Sequence, residues 1–295
     1  MSDIYLDPTR KHDAVLLFDV TDGNPNGDPD NSGAPRTDLE TGHGIVTDVA
    51  LKRKIRDMVP LIAPGRTGYD IYVEADVALE ERHLRAYASL GVKQDAKPQP
   101  IAQARDWMIE HFFDVRMFGA VMASKVAPAG RTRGPAQLTF ARSVDPVLVI
   151  ENAITRVTQT RQADIAAGQT TEMGSKWTIP YALYRGVVHI SAPLAAKAKV
   201  TQDDLDVFWR AVSLMFEHDR AATRGEMALR GLYVFTHDDA LGRAPAHQLT
   251  SLVTVEPSVA RQPGATSART FSDYRVSIDE QQVPAGVTLT GLVTS

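Results

Sequence analysis

Residues 14–20, AVLLFDV, form an apolar run of strand length. They lead into a loop, DGNPNGDPDNSGAPR (22–36), made of the residues that turns require. The loop is long for a simple connection. Thr47 or Asp48 then caps a helix expected to reach about Val59 and to close at Pro60. At 100° per residue, Leu51, Ile55, Met58 and Val59 share one apolar stripe. Lys52, Arg53 and Arg56 fan along one polar flank, and Lys54 points the other way.

Residues 65–80 alternate in the manner of a strand, and 79–100 read as a polar, peripheral excursion. Residues 104–122 predict a helix running into a buried apolar segment, and 134–157 hold two strand-like runs. A polar, small-residue stretch follows at 158–177, and strand character returns at 179–194. The clearest amphipathic helix starts at Gln202 and ends near His218 to Ala222. LRGLYVFTH (229–237) and HQLTSLVTVE (247–256) predict two more strands, and residues 269–283 a strand pair. Strand–helix–strand, an insertion, then strand–helix–strand predicts an α+β, ferredoxin-like core with large excursions. No Pro/Gly/Ser linker divides the chain, so residues 1–295 are read as one domain.

Composition narrows the function classes. The 43% apolar and 23% charged residues are ordinary for a soluble globular protein. Cysteine is absent, which removes disulfides and thiolate metal sites. The N-terminus lacks the apolar core of a signal peptide and no run approaches a membrane span, so the expected location is cytoplasmic with no membrane partner. Net charge is −4 and the pI about 6.1, so contact with nucleic acid has to rest on local patches.

Three patches stand out. The α-helical flank of Lys52, Arg53 and Arg56 is one. Residues 115–144 contain no Asp or Glu but hold Arg116, Lys125, Arg131, Arg133 and Arg142, with glycines about the GRTRG segment. Glycine lets backbone N–H groups approach phosphate oxygens, so this window suits a phosphate backbone. The third is Arg220, Arg224 and Arg230 after the long helix. The expectation is that the first two patches line one continuous groove.

Candidate catalytic and metal chemistry is thin. Asp22, Asn24, Asn26 and Gly27 fit the first half of a calcium loop, but position twelve is Gly33, which has no carboxylate. The eight histidines form no HxxxH, HExxH or HxH set. His218 and Asp219 are sequence neighbours that do not face each other on a helix, so the pair is read as structural. No P-loop, GxGxxG, GxSxG or kinase signature occurs, and neither metal nor cofactor is expected.

Several phrases together resemble the backbone subunit of type I-C CRISPR Cascade complexes, in the RAMP superfamily. They are DGNPNGDPD followed by PR, TGHGIVTDVALKRKIR, FFDVRMFGAVM, GPAQLTFARSVDP, GSKWTIPYALYRG, MFEHDRAATRGEMALR and LGRAPAHQL, in the family's order across residues 14–256. The resemblance implies an RRM-like core with inserted finger and thumb segments. It implies a non-catalytic subunit that oligomerises along CRISPR RNA and presents the guide to target DNA, beside other Cascade subunits. The thumb would fall at 156–176, with Met173 as a wedge against an unstacked base. Candidate RNA contacts are Arg36, Lys52, Arg53, Arg56, Lys125, Arg131, Arg133, Gln137, Arg142, Met173, Lys176, Arg220 and Arg224, with Arg220 or Arg224 alternatively meeting a neighbouring copy. Asn24 and Asn26 are expected to shape their loop. The competing reading is an RNA-cleaving relative in which His43, or an aspartate of the Asp22–Asp30 loop such as Asp28, carries the chemistry.

Overall fold

The computed structural model describes residues 3–94, 97–258 and 267–294. Strand β1 (His12–Gly23) is buried almost end to end, because layers cover both of its faces. That is why its sequence runs apolar instead of alternating. Strand β2 (His43–Val46) leads into helix α1 (Asp48–Ile62), which Thr47 caps by accepting from the Ala50 N–H at 3.2 Å. The helix does not close at Pro60. Its last turn continues because Ile62 packs on the core and the Ala63 N–H reaches the Val59 carbonyl at 2.9 Å.

The strand expected across 65–80 is absent. Asp70 makes a single bridge to Phe112, and the N–H groups of Tyr72 and Val73 go to the Asp114 carboxylate at 2.8 and 3.1 Å. The alternation has another origin: Tyr69 and Ile71 enter the main core, while Tyr72 enters a second apolar cluster. Helix α2 (Leu79–Leu90), in the segment read as a polar excursion, buries His83, Ala86 and Tyr87 at helical spacing. It packs with helix α3 (Pro98–His111), helix α4 (Phe113–Phe118) and the antiparallel strands β3 (Gly119–Met122) and β4 (Gly130–Arg133). This inserted unit encloses its own apolar cluster around Tyr87, Met108 and Phe112. At its root Gly119 takes φ 80°, and a side chain there would press into the backbone of Gly134 and Thr132.

The chain re-enters the sheet through β5 (Ala136–Leu138) and β6 (Ala141–Pro146). Strand β7 (Ile150–Arg156), helix α5 (Gln162–Ala166) and strand β8 (Glu172–Ile190) follow. The first half of β8 pairs with β7 alone, and the two extend as an exposed arm. The second half lies beside β1. Helix α6 (Ala192–Ala198) precedes α7 (Gln202–His218), whose start carries a reciprocal capping box between Thr201 and Asp204. Strand β9 (Glu226–His237) returns along β1.

The strand expected at 247–256 is half helix. Helix α8 (Ala246–Ser251) follows Pro245 and buries Leu249, and only then does strand β10 (Val253–Pro257) begin. Residues 269–283 contain one strand of the expected pair, β11 (Tyr274–Ile278), and its partner is β10. Strand β12 (Val287–Thr294) adds to β9 at the sheet edge.

The sheet runs β12-β9-β1-β8-β6-β2, with neighbours antiparallel. The inner order β9-β1-β8-β6, with α1 and α7 as crossovers, is the α+β, ferredoxin-like arrangement expected from the sequence. Ala14, Leu16, Phe18 and Val20 face α1 and α7. Val15 and Leu17 face a layer built from α8, β10 and β11. Gly23 and Gly225 let β1 and the turn before β9 touch backbone to backbone, since a Cβ on either would overlap the other chain segment. No helix among the described residues is long and apolar enough to cross a membrane.

Two buried polar assemblies hold this frame. Arg116 and Asp204 form a buried bidentate pair, with Nη2–Oδ1 at 2.7 Å and Nε–Oδ2 at 3.1 Å. At the start of β1, Asp13 accepts from His189 Nδ1 at 2.6 Å, His237 Nε2 at 3.0 Å and Lys11 Nζ at 3.0 Å, which hold its carboxyl well below the usual range despite burial. Beside it, His12 donates from Nε2 to the Asp7 carbonyl at 2.9 Å and accepts from Thr236 at Nδ1. Burial pushes the His12 pKa down to about 4.

Removing one partner of the buried pair, as in Asp204→Ala, should cost about 3–5 kcal/mol in urea unfolding. The adjacent Asp203→Ala, an exposed partner of Arg66, should cost under about 1 kcal/mol. The unfolded His12 binds its proton near pH 6.5 and the folded one near 4. Between these values the unfolded state holds more protons, so stability falls as pH drops, by up to about 3 kcal/mol from this group. A His12→Gln variant should show a flatter stability profile across that window.

Candidate nucleic-acid interface

The loop after β1 is held together by its own polar side chains. Asn24 donates to the Gly33 carbonyl at 2.7 Å, and Gly27 bridges to Pro35. Asn26 Oδ1 accepts from both the N–H and the hydroxyl of Thr47, at 2.9 and 3.0 Å. Asn26 thus fixes the residue that caps α1, so both asparagines shape the loop as the sequence suggested. Asp28 accepts from the Asp30 N–H and pairs with Arg36 at 3.3 Å. His43 Nδ1 meets the Ser143 carbonyl at 2.8 Å. Among the described residues no group of three or more His, Asp or Glu is placed to hold a metal ion.

On α1 the three expected cations differ. Arg53 is exposed and pairs with Asp57 one turn on, at 2.9 Å. Lys52 pairs with Asp48 at 2.9 Å and lies over the Phe118 ring. Arg56 lies over the same ring but is tied to the buried Asp114 at 2.7 Å, so it joins the helix to the inserted unit. Lys54 faces the other way, as expected, and is buried against Asp219. Near the head of α1, Arg142 on β6 is exposed and pairs with Asp38 at 2.8 Å. The loop containing Arg36 and Asp38 bridges to β2, so Arg36 and Arg142 belong to one hydrogen-bonded region beside the strand that leads into α1.

The GRTRG arginines lie elsewhere. Cross-strand register puts Gly119, Val121, Arg131 and Arg133 on one face of the β3–β4 hairpin, while Met122 enters the inserted unit's core. That face lines a cleft of about 1080 Å³ together with Arg66, Lys197, Lys199 and the Arg116–Asp204 pair. Lys52, Arg53 and Arg56 do not line it. Lys52 and Arg56 nevertheless lie over Phe118, the residue that precedes Gly119, the cross-strand partner of Arg133.

The remaining candidates divide into exposed and engaged groups. Lys125 is exposed in the β3–β4 connection. Met173, 76% exposed, and Lys176 lie on the arm. Gln137 is engaged inside the fold, donating to the carbonyls of Gly134 and Phe118 at 3.2 and 3.4 Å. Arg116, counted in the acid-free window, is buried and structural. Arg224 is engaged by Asp219, and Arg220 by Glu217 and Glu226, each at 2.9 Å. These salt bridges lie within the chain because the β9 turn folds back on the end of α7. Asp219 also binds Lys54, so its carboxylate is shared between two cations of the fold. Arg230 bonds Asp19, which it shares with the Tyr181 hydroxyl.

Arg66, Lys197 and Lys199 do not stand out in the sequence. The one local signal is the pair of lysines two apart in LAAKAKV, which sits on a helix end with Lys199 in the left-handed region at φ 56°.

A curated relative, a CRISPR-associated protein Cas7 of Haloferax volcanii, is 31% identical over 116 residues, which is 39% of this chain and 33% of the relative. The match thus spans about a third of the relative's length. Among solved structures, a chain of a CRISPR RNA-guided surveillance complex in a pre-nicking state matches at TM-score 0.49 and 16% identity, covering 76% of this chain and 75% of the other. A second surveillance-complex chain matches at TM-score 0.47 and 15% identity, covering 80% and 71%. The profile of CRISPR-associated protein Cas7 matches residues 10–279, nearly the whole of the ferredoxin-like sheet and its inserted unit, and the chain belongs to that family.

Proposed function

We propose that this chain is a non-catalytic subunit that coats CRISPR RNA, several copies to one guide, in a type I-C Cascade complex. The guide would then be presented for pairing with target DNA, and the other Cascade subunits would dock on the same assembly in the cytoplasm. The observation that carries this reading is membership of the Cas7 family across residues 10–279.

The geometry supports backbone contact. Arg53 and Arg142 are exposed cations whose carboxylate partners are part-buried, and Lys52 and Arg36 form part-buried pairs. Pairs of exposed cations are weak, so phosphates can take the place of the carboxylates. Charge contacts of this kind read no base, as a subunit that accepts any guide requires. The exposed arm from β7 to β8, with residues 156–176 at its end and Met173 on one face, suits a thumb that wedges between bases. Asp28 and His43 are occupied by loop contacts, which favours the scaffold over the cleaving reading.

Co-expressed with its guide, the chain should purify with uncut RNA protected at a regular interval per copy. Labelled RNA should also stay intact with magnesium added. Cleavage that disappears in His43→Ala or Asp28→Ala would replace this reading with the nuclease. Charge reversal at Lys52 and Arg53 should weaken guide binding about equally for unrelated sequences. It should lower the slope of log affinity against log salt by about 0.7 for each phosphate that is no longer neutralised. Arg56 is unsuited to that test, because reversing it would set a second carboxylate against buried Asp114.

A further inference from the structure

The main sheet ends differently on its two sides. At β2 the chain covers its own edge. The Ile45 N–H reaches the Arg36 carbonyl and the Asp38 N–H the His43 carbonyl, each at 2.8 Å, and Thr37 bridges to Gly44. At the other end β12 pairs with β9 on one side, and among the described residues no strand pairs with it on the other. Its sequence, VTLTGLVT, has neither charge nor proline. None of these residues is buried, although four are Val or Leu. Edge strands are normally blunted by a charge, a proline, a bulge or a covering segment, because their unpaired groups template another chain. Residues 287–291, which precede the bulge at Leu292, have none of these. The strand also lies past residue 279, where the match to the Cas7 profile ends.

The ladder fixes which backbone groups face outward. The Asp238 N–H bonds the Gly286 carbonyl at 2.8 Å, which makes those two residues a hydrogen-bonded pair. Bonded and non-bonded pairs alternate along an antiparallel ladder. Thr288 opposite Thr236 and Thr290 opposite Val234 therefore bond to β9. The N–H and C=O groups of Leu289 and Gly291 point to the open side, as does the Val287 carbonyl. The Val287 N–H turns back to the Pro284 carbonyl at 3.1 Å.

The strand's own sequence fits this edge. An antiparallel copy centred on Leu289 sets Leu289 across from itself, Thr288 across from Thr290 and Val287 across from Gly291. The two Leu289 residues then exchange a pair of N–H to C=O bonds, and each Gly291 N–H meets a Val287 carbonyl. No charges are opposed, and Thr–Thr pairs are favourable cross-strand neighbours. Val287 and Leu289 already pack on the layer of α8, β10 and β11, so the pairing sets two such layers side by side. With β2 closed, the contact is isologous and stops at two copies. Stacking along a guide has to repeat head to tail, so it is a different contact.

We propose that β12 is a docking edge for a second copy of this chain, paired antiparallel through residues 287–291 so that one sheet runs through a twofold dimer. The contact needs no RNA and would remain if the guide-coating reading failed.

The test uses purified full-length chain, stripped of RNA by nuclease in high salt, in sedimentation equilibrium over a concentration series. The mass should rise from one copy to two and stop there, at the micromolar concentrations that suit a small interface. Leu289→Pro removes an outward N–H and no bond to β9, and proline is tolerated on an edge. The variant should keep its circular dichroism spectrum and lose about tenfold or more in dimer affinity, as two exchanged bonds disappear. Leu289→Lys and Leu289→Asp should each stay single, and an equimolar mixture of them should dimerise again, because residue 289 meets itself across the twofold. That rescue separates pairing from folding. Lys52→Glu/Arg53→Glu should dimerise like the unaltered chain, whatever it does to guide binding. A chain that stays single at every concentration, growth past two copies without RNA, or a mixture that stays monomeric would each overturn the proposal. So would Leu289 and Gly291 amides that gain exchange protection only when another Cascade subunit is added, which would assign the edge to that subunit.

Discussion

Arg116 uses all five of its N–H donors. Nε and Nη2 reach the two oxygens of Asp204, Nη1 reaches the carbonyls of Ile109 and Glu110, and Nη2 also reaches the Gly68 carbonyl at 2.9 Å. Asp204 in turn accepts from the N–H and hydroxyl of Thr201, closing the cap of α7. One guanidinium therefore joins the inserted unit, the loop after α1 and the start of the second crossover helix. A buried ion pair of this sort adds little by itself over an apolar contact, but leaving either half alone is costly. What it supplies here is position: it fixes the inserted unit against the sheet layer and lines the basic cleft.

Asp114, on the same short helix α4, secures the other side of the junction. Its carboxylate takes the N–H groups of Tyr72 and Val73, which lack a strand partner, and the guanidinium of Arg56. The irregular path at 65–78 is possible because a side chain replaces the missing ladder. Together Asp114 and Asp204 let the chain leave the sheet after α1, build a separate apolar cluster and return at β5 in register.

Much of the sheet was legible in the sequence, because each of its elements carries one clear period. Residues 14–20, 202–218 and 229–237 form the expected strand, helix and strand. The misreadings occur where one segment serves two layers. At 65–78 successive residues enter different cores and imitate a strand's alternation. At 247–256 a short helix and a strand share one apolar stretch. At 79–90 a buried stripe of His83, Ala86 and Tyr87 hides among charges. The cation sites were legible by residue type but not by grouping. Residues 115–144 lack acids, but the carboxylates that neutralise Arg116 and Arg142 come from Asp204 and Asp38, far along the chain.

That difference explains how a chain of net charge −4 can still present positive surfaces. A carboxylate neutralises a cation fully only where geometry and burial hold the two together, as with Arg56 and Arg116. Exposed pairs such as Arg142–Asp38 and Arg53–Asp57 are worth about 0–1 kcal/mol, a difference that a nearby polyanion overcomes by releasing counterions. Net charge counts both kinds alike. The surface that a phosphate chain meets is therefore set by which arginines are locked into the fold, and the locked ones are those that hold the inserted unit in place.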